Sequence, residues 1–230
     1  MATLETSLRR GLDELGLRIS DAQVIQLLGY LALLEKWTRV YNLTSVRDPA
    51  GMLTHHLLDS LAVIAPLRRQ MTAFGKDAGA EISSGTEIRL LDVGSGAGLP
   101  GVVIAICCPG FNVDCVDTVG KKAAFIQQAA LTLRLPNLRG IHARVESLSD
   151  KYQVISARAF ASLADFTAWS LAALAEGGVW MAMKGRHPSD EITALPPQVK
   201  VFHVEQLQVP GLAAARCIVW MHGPRHVPKP

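Results

Sequence analysis

Apolar positions recur at helical spacing through the first third of the chain and in short, strand-like runs after it. Ser20-Asp21-Ala22-Gln23 has the form of a capping box. Behind it Val24, Leu27, Leu28, Leu31, Leu34, Trp37 and Tyr41 share one face, which predicts an amphipathic helix over 21–41. Leu4, Leu8, Leu12 and Leu15 predict a shorter helix over 4–15. Asp48-Pro49 offers an acidic N-cap and a proline at the first helical position. The helix it opens is expected to run from Ala50 to about Ala65, where Pro66 discourages continuation.

From residue 88 the pattern alternates. Strands are predicted over 88–93, 111–117, 138–142, 152–157, 178–183, 200–208 and 215–222, with helices over 100–108, 120–134, 145–150 and 162–175. Alternation of this kind implies an α/β fold with a mostly parallel sheet covered on both faces. The last two strands are joined through Pro210-Gly211, a link too short for a crossover, so they should pair antiparallel. The expected organisation is a helical extension over 1–74 packed on the main domain, a small, polar linker over 75–87, a main domain over 88–222 and a loose tail over 223–230.

Almost half of the 230 residues are apolar and 19% are charged, which supports a packed core rather than disorder. No apolar run reaches the roughly 18–20 residues of a membrane span, and residues 1–10 lack the apolar core of a signal peptide. The expectation is a cytoplasmic monomer with no membrane association. The four cysteines show neither CxxC pairing nor zinc spacing, so they read as reduced packing residues and no metal site is expected. The net charge of +3 is uneven: residues 1–87 hold 9 Lys/Arg against 10 Asp/Glu, and residues 88–230 hold 14 against 10. That excess mildly favours a polyanionic partner.

The candidate chemistry lies where the first predicted strand runs into glycines. Gly96-Ala97-Gly98-Leu99-Pro100-Gly101 satisfies GxGxxG, a dinucleotide fingerprint that is weak alone. Asp92-Val93-Gly94-Ser95-Gly96-Ala97-Gly98 is an acid followed by GxGxG, the pattern of class I S-adenosylmethionine-dependent methyltransferases, whose sheet is Rossmann-like and ends in an antiparallel hairpin. A carboxylate suits a cofactor that carries an ammonium group and would repel a pyrophosphate, so Asp92 favours S-adenosylmethionine. Asp117, ending the second strand, can accept ribose hydroxyls in either cofactor.

Further motifs make the resemblance specific. Tyr41-Asn42-Leu43-Thr44-Ser45-Val46-Arg47-Asp48-Pro49 and His56-Leu57-Leu58-Asp59-Ser60 are followed by the Asp92–Gly101 loop with its Leu-Pro-Gly ending. Arg144-Val145-Glu146, Ser156-Ala157-Arg158-Ala159-Phe160-Ala161 and Met183-Lys184-Gly185 come next. In this order they resemble the bacterial 16S ribosomal RNA guanine-N7 methyltransferase G, or glucose-inhibited division protein B, family over roughly residues 20–220. The chain departs from that pattern at His55 and Ala157. The resemblance implies methylation of N7 of one guanine in small-subunit ribosomal RNA. It places cofactor contacts on Gly94, Leu99, Val145, Glu146 and Arg158, with Arg158 near the reacting centre.

Guanine N7 has a lone pair and no proton, so its methylation needs no general base, only alignment. The chain lacks both an Asn/Asp-Pro-Pro-aromatic motif and a Pro-Cys nucleophile, and has Ser156-Ala157-Arg158-Ala159-Phe160 where these would stand. Phe160 could stack the target base or pack in the core. Arg158, Lys184 and Arg186 could hold phosphates or the guanine O6 edge. Lys122, Arg144 and Arg216 are further candidates for RNA contact. Rival readings are a methyltransferase for another RNA or a small molecule, an NAD-dependent oxidoreductase, and a non-catalytic RNA-binding or assembly factor.

Overall fold

Local signals start the first helices where they were expected. The computed structural model describes residues 2–77 and 88–224. Helix α1, Ala2–Glu14, leads to α2, Asp21–Tyr41, whose capping box is complete: Ser20 Oγ accepts from the Gln23 amide and Gln23 Oε1 from the Ser20 amide. Asn42, at φ 50°, ends α2 in the left-handed region that asparagine tolerates. Asp48 caps the four-residue helix α3, Pro49–Met52, through the Gly51 amide at 2.6 Å.

Beyond α3 the path departs from expectation. A π-helical stretch, Leu53–Leu58, runs into α4, Asp59–Leu61, and after a two-residue turn helix α5 covers Ile64–Asp77. Pro66 does not stop the chain. It occupies the third position of α5, where the amide that proline lacks has no intrahelical partner to lose. Residues 75–77 of the expected linker are therefore helical, and the remainder of that linker and residues 225–230 of the tail lie outside the described residues. The stretch Pro49–Thr72 is long and apolar enough for a membrane span, but its most apolar window is 67% buried inside the fold.

The strands are β1 (Ile88–Val93), β2 (Phe111–Asp117), β3 (Leu138–His142), β4 (Tyr152–Arg158), β5 (Leu174–Lys184), β6 (Lys200–Leu207) and β7 (Arg216–His222). They form one sheet in the order β3-β2-β1-β4-β5-β7-β6. The first five are parallel, and β7 lies antiparallel to both β5 and β6, as the short Pro-Gly link required. Crossover helices are α6 (Gly101–Cys107), α7 (Gly120–Thr132) and α8 (Leu163–Ser170). A five-residue helix, α9 (Ser189–Thr193), was not anticipated. The helix expected over 145–150 is only a 3-10 turn at Val145–Ser147, and that over 162–175 ends at Ser170 before a second such turn. Strand β5 starts at Leu174, four residues before the expected 178.

One face of the sheet packs Val113, Val154 and Met181 against α6, α7 and the N-terminal helices, in a core that includes Leu8, Leu27, Leu34, Leu57 and Phe125. The other packs Leu91, Ile155 and Trp180 against Phe166 of α8. Polar ties fix α2 to the sheet's helices: Gln23 Nε2 donates to the Ile106 carbonyl at 2.7 Å and Gln26 Nε2 to that of Leu133 at 2.9 Å. The Tyr30 hydroxyl, fully buried, donates to the Ala97 carbonyl at 2.8 Å and so clamps α2 on the glycine turn.

Tyr30→Phe leaves that carbonyl buried without its partner, and an expected cost of about 1–3 kcal/mol should appear as a lower urea midpoint at unchanged slope.

Candidate functional site

The site grows from the turn between β1 and α6. Its glycines Gly94, Gly96 and Gly98 take φ of +62°, +58° and +82°. At Gly94 even the conformation is not the whole constraint, since a Cβ there would collide with the Phe160 ring. Gly101 opens α6 with its Cα pressed on Cys115 of β2 and on Asp92, again with no room for a Cβ. The helix is thereby held against the strand ends.

Asp92 is fully buried. Its Oδ2 accepts from the Gly101 amide at 3.0 Å and its Oδ1 from the Ser156 hydroxyl at 2.8 Å. Burial pushes its carboxyl up to about 7, opposed by those two hydrogen bonds and by the charge of Arg158. The expectation that Asp92 meets an ammonium directly gives way here: the side chain lies beneath the turn, tying β1, β4 and α6 together. Leu99 and Gly98 likewise belong to the packed underside of the turn, with Leu99 buried and Gly98 against Val102 and Ile126.

Above the turn, at the carboxyl ends of β1, β2 and β4, is a cavity of about 400 Å³. This is the crevice beside β1 and β4, where the strand order reverses, the usual ligand position in open parallel sheets. Gly94, Asp117, Lys122, Arg144, Val145, Glu146 and Phe160 all border it. Asp117 Oδ2 accepts from the Gly96 amide at 3.0 Å and lies 3.4 Å from Lys122 Nζ, while Oδ1 accepts from Val119 N at 2.9 Å. These bonds aim the carboxylate and leave it lone pairs for ligand hydroxyls. Val145 is buried in its 3-10 turn, and Glu146 stands beside it with Arg144 at 3.9 Å.

Sequence reasoning missed Thr118, Val119, Ala143 and Trp169 of the same wall. Trp169 is 41% exposed and meets Phe160 edge-on at 5.8 Å between ring centroids. An aromatic some way past the end of a motif gives no sequence signal of its own; the fold of α8 brings it there.

Arg158 and Phe160 part company at Ala159, whose φ of +50° reverses the chain. Phe160 lies over Gly94, whereas Arg158 turns to Asp59 of the N-terminal helices. Arg158 Nη1 donates to Asp59 Oδ2 at 2.9 Å and to the His55 carbonyl at 3.1 Å. Arg216 Nε donates to Asp59 Oδ1 at 2.8 Å. Beside them His56 Nε2 is 2.6 Å from the Thr44 hydroxyl, and burial followed by the Arg158 charge draws its pKa down to about 4. Lys184 departs from the expected nucleic-acid contact: its ammonium is held by Glu191 at 2.7 Å and the Ala161 carbonyl at 3.2 Å. Arg186 is exposed in the turn after β5.

The family described as rRNA small subunit methyltransferase G (GidB) matches residues 23–219. The ribosomal RNA small subunit methyltransferase G of Paracidovorax citrulli (strain AAC00-1) is 66% identical over 218 residues, covering 95% of this chain and 89% of that protein. That of Acidovorax ebreus (strain TPSY) is 66% identical over 219 residues, 95% of each. A solved structure described as "Conversion of a Disulfide Bond into a Thioacetal Group during Echinomycin Biosynthesis" superposes with a TM-score of 0.50 at 11% identity, over 67% of this chain and 82% of that one, a likeness of fold alone. The chain belongs to the rRNA small subunit methyltransferase G family, and its parallel sheet with an antiparallel end is that expected of a class I methyltransferase.

The buried Asp92 gives a pH signature. Its folded pKa, about 7, lies above the ordinary 3.8, so the stabilisation it contributes is fully present below about 3.8 and is lost as pH rises through about 7. Asp92→Asn removes that dependence. Relative to wild type, the variant should gain more than about 1 kcal/mol of unfolding free energy between pH 4 and 7 and then level off, as read by denaturant titration at each pH.

Proposed function

We propose that this chain transfers the methyl group of S-adenosylmethionine to N7 of one guanine in 16S ribosomal RNA of the small subunit. It does so as a cytoplasmic monomer, with residues 88–222 as the catalytic domain and residues 1–74 as a helical extension packed on it. The observation that carries the reading is a convergence. The family match spans nearly the whole chain, and Gly94, Val145 and Glu146, three of the positions implied to touch cofactor, border one cavity together with the ribose-binding candidate Asp117.

The cavity fits this cofactor by its chemistry. Gly94 and Gly96 present bare backbone, and beyond Gly96 there is open space where a side chain would stand. Asp117 retains acceptor capacity for two ribose hydroxyls, and Val119 and Val145 offer an apolar slot for a purine with Glu146 at its rim. Bound there, S-adenosylmethionine supplies an electrophilic methyl group on a sulfonium.

The residues then have to orient rather than exchange protons, because N7 presents its lone pair unprotonated. Fixing the reacting atoms within van der Waals reach and in line is a large share of such a barrier. Arg158, anchored through Nη1, keeps its other nitrogens for the guanine O6 edge or a phosphate. Phe160 stacks the base after it is drawn out of its neighbours. Lys122 and Arg144 at the rim, and Arg186 and Arg216 beyond it, meet backbone phosphates.

Labelled S-adenosylmethionine incubated with 30S subunits should give 7-methylguanosine at one mapped nucleotide of 16S RNA. No transfer to any form of ribosomal RNA, or tight NADH binding without S-adenosylmethionine binding, overturns the reading. Arg158→Ala should lower the transfer rate by about 100-fold or more while circular dichroism stays that of wild type.

A further inference from the structure

Asp59 ties two distant strands together from outside the cavity wall. It follows Leu57 and Leu58 in a buried helical region, its side chain 3% exposed. Both oxygens are taken by arginines: Arg158 at the end of β4, 2.9 Å away, and Arg216 at the start of β7, 2.8 Å away. The arginines themselves reach solvent, with side chains 20% and 25% exposed. One carboxylate between two guanidiniums leaves the group with a net positive charge, presented at the end of the sheet.

The backbone is shaped to make this contact. Leu53–Leu58 is π-helical, with the Asp59 amide donating to the Thr54 carbonyl five residues back. A π turn inserts one residue and so rotates every later side chain by about 100° relative to an unbroken α-helix. The rotation sets the Asp59 carboxylate and the His55 carbonyl side by side, and Arg158 Nη1 donates to both. Two acceptors on one nitrogen fix a guanidinium's plane, which one ion pair would leave free to swing. The neighbouring His56 is neutral near pH 7, so it adds no competing charge.

We infer that Asp59 is a positioning residue for methyl transfer: it yokes Arg158 and Arg216 at a fixed separation so that both guanidiniums face the RNA in one arrangement. Asp59 touches neither cofactor nor base and acts through Arg158. The inference rests on the proposed role of Arg158 in the reacting centre.

The test is a double-mutant cycle on the full chain, with S-adenosylmethionine and 30S subunits. It compares kcat for wild type, Asp59→Asn, Arg158→Lys and the double variant, with cofactor Kd and Tm measured on each. Asp59→Asn should lower kcat by about 100-fold in the wild-type background, the cost of a misplaced reactant-holding group, with cofactor Kd changed less than about threefold. In the Arg158→Lys background the same change should cost less than about threefold, because the group it positions is already gone. Independent, multiplying losses in the two backgrounds, or wild-type kcat in Asp59→Asn, overturn the inference while leaving the Arg158 reading intact. Wild-type kcat in Arg158→Lys overturns the Arg158 reading, and the inference with it. If Asp59→Asn does not fold, Asp59→Glu, which keeps the charge and displaces it by one methylene, carries the same comparison with the same outcomes.

Discussion

The glycine turn of the site hangs on one buried carboxylate. Asp92 is buried beneath the glycine turn and joins three elements through two hydrogen bonds, to Gly101 at the start of α6 and to Ser156 in β4. Removing a charge from water is costly, and the fold answers by pushing this group toward its neutral form while giving it two donors. The turn above it has glycines in conformations other residues avoid and little side chain of its own. Its shape comes from the floor it is fastened to.

The same logic runs outward. Asp117 borders the cavity, yet it commits bonds to Gly96 and Val119, so the carboxylate that would hold a ribose also holds the turn in place. Tyr30 fastens α2 to the turn from the far side, through the Ala97 carbonyl. The N-terminal helices share one apolar core with the sheet, and they bring Asp59 to the ends of β4 and β7. Preorganisation here is a matter of backbone amides and buried carboxylates, with long cationic side chains only at the rim.

Much of the fold was legible in the sequence because its central strands are buried on both faces and bounded by glycine, proline and aspartate. Strands β1, β2 and β3 fell on their expected residues, and Ser20-Gln23 and Asp48-Pro49 marked helix starts by chemistry that acts within four residues. Pro66 misled because its effect depends on position within a helix, and the sequence does not show where the preceding turn falls. In the site, Gly94, Asp117, Val145 and Glu146 could be named, since motifs record residue type and order. What motifs do not record is direction. Asp92 meets a partner 64 residues away, and Asp59 meets arginines 99 and 157 residues away. Lys184 looked free until α9, unforeseen, brought Glu191 beside it.

Trp169 has an optical consequence. Trp180 and Trp220 are sealed in the core, and Trp37 packs on Tyr41 and Phe125 away from the cavity. Trp169 alone of the four borders it, half in water and edge-on to the ring that covers Gly94. A molecule entering the cavity changes the polarity around one indole and leaves three untouched. The protein thus carries a built-in fluorophore whose emission reports the state of the site, against a constant background from its own interior.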